Sequence, residues 1–496
     1  MEIEGVSMAT RIAHRRERLY VDGEWLETEG TLSVTDLADG GTFAEVAAAT
    51  AVDARRALAA AHRVKPRMRQ TTVVERARWC EQIAERLEER EDELAEVIVR
   101  EAGKPISSAR GEVGAAAERF RRAAEEARNV VSNGEFREGS TDGHEGWNAI
   151  VKHEPIGAVL CITPYNYPLA TTALQVAPAI AAGNSVLLKP ASKTPISAAI
   201  LADVIAGVEG IPEGAFNFVP GAASEIGDVL AGDDRVNCIA MTGSSGAGKH
   251  VARESGMVNL HMELGGNAPA IVFEDADLEA VAGACAKGSF KYAGQRCSAV
   301  SRVLAQESVH DEVVDRLDSA MDGWQAGDLF DEETAFGPLI DESQADYVAE
   351  LVEDALEKGA DLVRGGERRA PEGVPDELER QFFEPTLLAN VPHDARLIDE
   401  EQFGPVAVVT SFADRDAALE LANGSDLALD AAVFTSDYDR ALDVADRVDA
   451  GAVRINGAPS HGLGDVPFGG NKDSGIGREG IDASIHAMMR QKSIVL

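Results

Sequence analysis

Cysteine is scarce in this 496-residue chain: Cys80, Cys161, Cys238, Cys285 and Cys297 are the whole set, odd in number and widely scattered. No CxxC pair or Cys/His spacing links them, which argues against a disulfide framework and against a zinc site, so no metal is expected. Lysine is scarcer than its charge partner would suggest, 11 against 36 arginines, and the two together are outnumbered by 85 Asp+Glu for a net charge of −38. A polyanion is repelled by such a surface, so nucleic acid is excluded as a partner class. No stretch reaches the roughly 18 uninterrupted apolar residues of a membrane span; residues 171–188 come nearest, broken by Gln175, Pro178, Gly183 and Asn184. The first residues are acidic and lack the apolar core of a secretory signal, so the expected compartment is cytoplasmic.

What is present is ordinary for a folded protein: 45% apolar and 27% charged residues, far from a disordered composition. At roughly 150 residues per domain the length gives two or three domains. The extreme acidity, balanced by Arg rather than Lys, destabilises a compact state unless salt screens it, and reads as adaptation to a high-salt, halophilic cytoplasm.

Residues 75–101 carry Trp79, Ile83, Leu87, Leu94 and Ile98 at helical spacing and stop at Gly103–Pro105; residues 109–132 read as a second helix. From residue 156 onward short apolar runs (156–162, 185–188, 216–219, 236–241) alternate with helical segments such as 197–208. The alternation resumes at 270–273, 303–305, 406–411, 431–434 and 452–455. Strands alternating with helices imply βαβ units and parallel sheets, an α/β fold in two successive domains. The Gly- and Pro-rich stretch 364–375 reads as a surface loop.

Gly243-Ser-Ser-Gly-Ala-Gly-Lys249-His250 fits the first seven positions of a phosphate-binding P-loop, but His250 stands where magnesium needs Ser or Thr. A phosphotransferase is therefore the weaker reading, and a Gly/Ser turn between strand and helix serves a dinucleotide pyrophosphate equally well. Gly294-Gln-Arg296-Cys297-Ser sets a cysteine among small and polar residues, with Arg296 placed to favour a thiolate. A cysteine nucleophile needs a base and an oxyanion hole. Glu263, in Met262-Glu-Leu-Gly-Gly266, and Asn166, in Pro164-Tyr-Asn-Tyr-Pro168, are the candidates. None of the ten histidines offers a persuasive base for a Cys/His protease.

Seven segments occur in the order found in the aldehyde dehydrogenase superfamily, and the chain resembles its non-acylating, NAD(P)-dependent branch over almost its whole length. They are Thr163-Pro-Tyr165-Asn166-Tyr-Pro-Leu, Leu188-Lys189-Pro-Ala-Ser192, Thr242-Gly243-Ser244, Glu263-Leu-Gly-Gly, Gly294-Gln-Arg296-Cys297, Glu401-Gln-Phe403-Gly-Pro and Pro467-Phe-Gly-Gly. The resemblance implies oxidation of an aldehyde to its acid, with Cys297 as nucleophile, Asn166 as oxyanion donor and Glu263 as the base that activates water. Glu263, between Met262 and Leu264, is expected to have a raised pKa. For the cofactor it implies Lys189 at the adenosine ribose, Gly243 and Ser244 at the pyrophosphate turn, and Glu401 at the nicotinamide ribose. Phe403 is expected near the nicotinamide, with Thr163 and Tyr165 beside the cofactor.

Where many NAD-preferring relatives carry Glu three residues after that lysine, this chain has Ser192 with Lys193 beside it. NADP or dual use is therefore expected over strict NAD. The run 294–304 resembles the branch of non-phosphorylating glyceraldehyde-3-phosphate and lactaldehyde dehydrogenases, in which Arg296 meets the substrate. His461 stands at a further basic position of that branch, and a neutral imidazole lacks the guanidinium fork that grips phosphate. Arg119, Arg121 and Arg122 read mainly as a solvated helix face. A small hydroxy-aldehyde (lactaldehyde, glyceraldehyde or its 3-phosphate) is the leading substrate; succinate semialdehyde and 2,5-dioxopentanoate stay open. By resemblance the fold is a Rossmann-like cofactor domain (1–129 and 156–263), an α/β catalytic domain (264–475) and an oligomerisation element (130–155 and 476–496). That element implies a homodimer or homotetramer.

Overall fold

The computed structural model describes residues 15–131, 134–460 and 466–496. Two parallel-cored sheets dominate, as the strand–helix alternation requires. The first has eight strands, running in space as Gly475–Ile476, Asn259–Glu263, Cys238–Thr242, Ala158–Ile162, Ser185–Lys189, Phe216–Phe218, Leu19–Val21 and Glu24–Leu26. Its five central strands are parallel, and antiparallel pairs close both edges. The second has seven: Asp361–Arg364, Thr386–Ala389, Val406–Phe412, Val300–Gln306, Ala268–Val272, Asp430–Phe434 and Ala452–Ile455, all parallel but the first. The strands at the N-terminus carry no reading in the sequence pattern, because each is only three to six residues long.

The helical stretch read as continuous over 75–101 is two helices, Val73–Glu89 and Glu91–Ala102, broken at Arg90 (φ −110°, ψ 21°). Thr72 opens the first with a reciprocal capping box to Glu75. Gly103 closes the second at φ 67°, the left-handed cap that glycine adopts without strain. The next helix runs Ile106–Glu126 and passes into a wider turn at Ala127–Val131. Trp79, Ile83, Leu87, Val113, Ala117 and Phe120 bury the shared face of these helices against the first sheet.

A third sheet pairs Glu135–Glu138, Asn148–Pro155 and the C-terminal strand Met489–Val495, which forms one edge. Ile494, Val495 and Leu496 are exposed there, with Phe136 on the opposite strand. Among the described residues no helix is long and apolar enough to cross a membrane, and no group of His, Cys, Asp and Glu could hold a metal ion.

Candidate functional site

The parallel strands Ala158–Ile162, Cys238–Thr242 and Asn259–Glu263 are neighbours and end on one side of their sheet. The carboxyl edge of a parallel sheet is where a doubly wound fold leaves a crevice. Here the three ends carry Thr163 to Tyr167, Gly243–Ser244 and Glu263. From the second sheet, Cys297 precedes the strand Val300–Gln306, while Glu401 and Phe403 precede Val406–Phe412. All of these line one cavity of about 1040 Å³.

The chemistry at its floor is a half-buried thiol beside a buried carboxyl. Glu263 is 1% exposed and lines the cavity with Cys297, near enough that each side chain perturbs the titration of the other. Burial, with the charge of Glu479 behind it, raises the Glu263 pKa well above the usual carboxylate range. Of the apolar flank invoked from sequence, Leu264 lines the cavity beside Glu263, whereas Met262 points into the core on the strand's other face. Burial and then Glu263 raise the Cys297 pKa well above that of a free thiol. This corrects the thiolate expected from Arg296. The Arg296 guanidinium is turned instead to the Gly288 carbonyl, 2.6 Å away, and the resting cysteine is a thiol. Gly266 is required by this arrangement, since a Cβ there would strike the Cys297 carbonyl oxygen.

Asn166 is 6% exposed and its Nδ2 donates to the Gln295 carbonyl at 2.9 Å, tying its loop to the turn that leads into Cys297. Gln295 is itself fixed by Pro338 and Ile340. The other sulfurs are core: burial pushes Cys80, Cys238 and Cys285 up to about 12.

At the turn that the resemblance assigns to the cofactor, Ser244 caps the helix Ser245–Glu254 by accepting the Ala247 N–H at 3.3 Å. Ser245 Oγ, also lining the cavity, is buried without a hydrogen-bond partner. A helix N-terminus with an unspent hydroxyl fits a dinucleotide pyrophosphate. Lys249, the would-be P-loop lysine, pairs instead with Asp473, and His250 with Asp228 at 2.8 Å, so neither serves a phosphate at this turn. Glu401 accepts the Gly266 N–H at 2.9 Å and burial raises it to about 7. The Phe403 ring meets Tyr165 edge-on at 5.9 Å. Lys189 lies at the buried end of its strand, pushed down to about 8 by burial, and its carbonyl accepts the Thr163 N–H at 3.2 Å. Ser192 Oγ donates to the Gly221 carbonyl at 3.0 Å. Lys193 is not a free cation: it pairs with Asp341. His461 lies outside the described residues.

Four further residues line the cavity. Arg119, read from sequence as solvated, faces the cavity with a buried Nη1 that has no hydrogen-bond partner, whereas Arg121 pairs with Glu88 on the surface. Lys291 lines the cavity with Arg119 and Arg296. Glu479 accepts from Thr242 Oγ1 at 3.3 Å and is raised to about 7 by burial. Tyr167 stands beside Asn166. Helical periodicity could have placed Arg119 opposite the buried Phe120 face only ambiguously; Glu479 has no local signal at all.

A model of the aldehyde dehydrogenase family matches residues 25–494. The chain is 36% identical to the 3-sulfolactaldehyde dehydrogenase of Pseudomonas putida, over 97% of each chain. It is 37% identical to the succinate-semialdehyde dehydrogenase (NADP+) of Escherichia coli strain K12, over 94% of each. Its structure is similar to that of the NADP-dependent glyceraldehyde-3-phosphate dehydrogenase of Bacillus halodurans C-125 complexed with NADP. That match has a TM-score of 0.92 and 34% identity, and covers 97% of this chain and 99% of the other.

Proposed function

The chain belongs to the aldehyde dehydrogenase family, as an NAD(P)-dependent oxidoreductase with that family's α/β fold, and on that premise we propose Cys297 as its nucleophile, Glu263 as its general base and Asn166 as its oxyanion donor. The observation that carries this reading is the convergence of the three on one cavity, with Glu263 near enough to Cys297 to raise its pKa. Cys297 Sγ bonds to the aldehyde carbon and its proton passes to Glu263. The carbonyl oxygen, now an anion, is held by Asn166 Nδ2 and the Cys297 N–H. A nicotinamide cofactor held at the Glu401 and Phe403 end would supply the acceptor for the hydride that leaves this carbon. Cys297 then carries a thioester. Glu263, its first proton released to solvent, takes another from water as the water oxygen attacks, and the acid departs as the C–S bond breaks and the sulfur regains a proton.

The cofactor would lie along Gly243, Ser244, Thr163 and Tyr165, with Lys189 and Ser192 at the adenosine ribose and Glu401 and Phe403 at the nicotinamide end. The absence of a carboxylate at position 192 supports NADP or dual use. The cavity's three cations, Arg119, Lys291 and Arg296, support an aldehyde with an anionic tail. The relatives' names fit that class: sulfolactaldehyde, succinate semialdehyde and glyceraldehyde-3-phosphate each carry an anion. Among the small hydroxy-aldehydes glyceraldehyde-3-phosphate, the anionic one, heads the panel, with neutral lactaldehyde and glyceraldehyde behind it and succinate semialdehyde and 2,5-dioxopentanoate as the alternatives.

The division into a cofactor domain, a catalytic domain and the three-stranded element as an oligomerisation surface belongs to the same proposal. The apolar edge at Ile494–Leu496 supports a homodimer or homotetramer, which light scattering tests; a monomer in molar KCl overturns it. The charge of −38 supports a cytoplasmic, salt-adapted enzyme, and an unfolding midpoint indifferent to KCl would refute the adaptation. The decisive assay follows NADPH and NADH formation across the aldehyde panel, with Cys297→Ser beside the wild type. Activity lost in the variant supports the chemistry; activity retained in it overturns the assignment.

A further inference from the structure

We infer that Lys104 is a positioning residue that locks the loop carrying Asn166 to the loop carrying Cys297, an inference that rests on the roles proposed for those two residues. Lys104 is 1% exposed, among the largest fully buried side chains of the molecule, and so is seldom explained by chance. Its ammonium pairs with Glu112, itself 3% exposed. The other Glu112 oxygen accepts the N–H groups of Leu169 and Ala170, at 3.0 and 3.1 Å. Those two amides end the Asn166 loop and open the helix Ala170–Ala182. The carboxylate thus anchors the oxyanion loop from below.

Two aromatic rings take up the rest of the ammonium. Lys104 Nζ lies 3.4 Å from the ring centroid of Tyr167 and 4.6 Å from that of Tyr292. Tyr167 is the immediate neighbour of Asn166. Tyr292 opens the turn into Cys297, in which Tyr292, Ala293 and Gly294 all hold positive φ (57°, 51° and 70°). The Tyr292 hydroxyl reaches back to the Ala102 carbonyl at 2.6 Å, two residues before Lys104. A desolvated cation is strongly held by ring faces, so Lys104 ties one face from each catalytic loop to a single point. The Asn166–Gln295 bond joins the same loops on the cavity side. Removing the lower tie lets the oxyanion donor drift relative to the nucleophile, and a drift of about 1 Å costs on the order of a hundredfold in rate.

The test must separate positioning from mere stability. Lys104→Met strands the Glu112 charge, so the double variant Lys104→Met/Glu112→Gln, which removes both charges, accompanies it. Measured with NADP and the best aldehyde of the panel, kcat of both variants is expected to fall tenfold or more with KM within threefold. Hydride loss then becomes slow, so a primary isotope effect appears with aldehyde deuterated at the formyl carbon, matching that of Asn166→Ala. The double variant is expected to recover unfolding midpoint over the single one without recovering kcat. A double variant with kcat within threefold of wild type and no isotope effect overturns the inference. Asn166→Ala with near-wild-type kcat overturns the proposed function instead, so the two failures are distinguishable. If neither charge variant folds, Tyr292→Leu, which spares the ion pair and removes one ring face, is read by the same criteria.

Discussion

Glu263→Gln isolates the base from the nucleophile. The substitution keeps the volume of a side chain that is 1% exposed and leaves an oxygen to face the Cys297 thiol, but it removes the capacity to take a proton. A positioned general base contributes about 10²–10⁴ in rate, so steady turnover is expected to fall by that factor, roughly 2.7–5.4 kcal/mol at 1.36 kcal/mol per decade. Thioester formation suffers less than its hydrolysis: removing the Glu263 charge also lowers the Cys297 pKa, so that solvent can take the thiol proton, whereas hydrolysis still needs a base to activate a poor nucleophile. Rapid mixing with excess aldehyde should therefore show one NADPH per site followed by slow release. Hydroxylamine, a nucleophile that needs no base, should restore turnover and yield the hydroxamate. The pH dependence follows from the sign of the shift. Glu263 works ionised, and burial holds its pKa well above the usual value, so wild-type turnover rises with pH through that raised pKa. The variant loses this limb. A steady rate within tenfold of wild type, or no burst from protein that still binds cofactor, refutes the reasoning.

Stability should run the other way with pH. Glu101, Asp430 and Glu479 are each raised to about 7 by burial, so between about pH 4.5 and 7 the folded chain binds more protons than the unfolded one. Folding then weakens as pH rises, by up to roughly 3–4 kcal/mol for each group. His261, pushed down to about 4 by burial, opposes this with one group below pH 6.5. The unfolding midpoint of the cofactor-free protein should fall from pH 6 to pH 8, and a rise contradicts it. Ser192→Glu places a like charge where a 2′-phosphate is expected and should cut the NADP-to-NAD ratio of kcat/KM roughly ten- to hundredfold; an unchanged ratio removes Ser192 from the cofactor site. Ile83→Ala, fully buried in the helical layer and away from the cavity, should cost about 2–5 kcal/mol in urea unfolding with kcat unchanged.

What the sequence makes legible is what is encoded locally. Each motif that names a site residue lies at a strand end or in the turn just before a strand: Asn166 after Ala158–Ile162, Ser244 after Cys238–Thr242, Cys297 before Val300–Gln306. A strand end needs Gly, Pro and polar residues in a fixed order, so fold and chemistry write the same few letters. The break at Arg90 is not legible, because the helical spacing of Leu87, Leu94 and Ile98 runs through it and only the packing shows the turn. Arg119, Lys291 and Glu479 belong to the cavity through packing alone, each from an element whose local pattern reads as ordinary helix or loop. Lys104 goes further, since its local reading is a helix stop between Gly103 and Pro105. Its surroundings are supplied by Glu112, Tyr167 and Tyr292, which only the tertiary fold brings together. A buried charge costs several kcal/mol unless it is paired, so its place beneath both catalytic loops has to be maintained by the contacts it makes there.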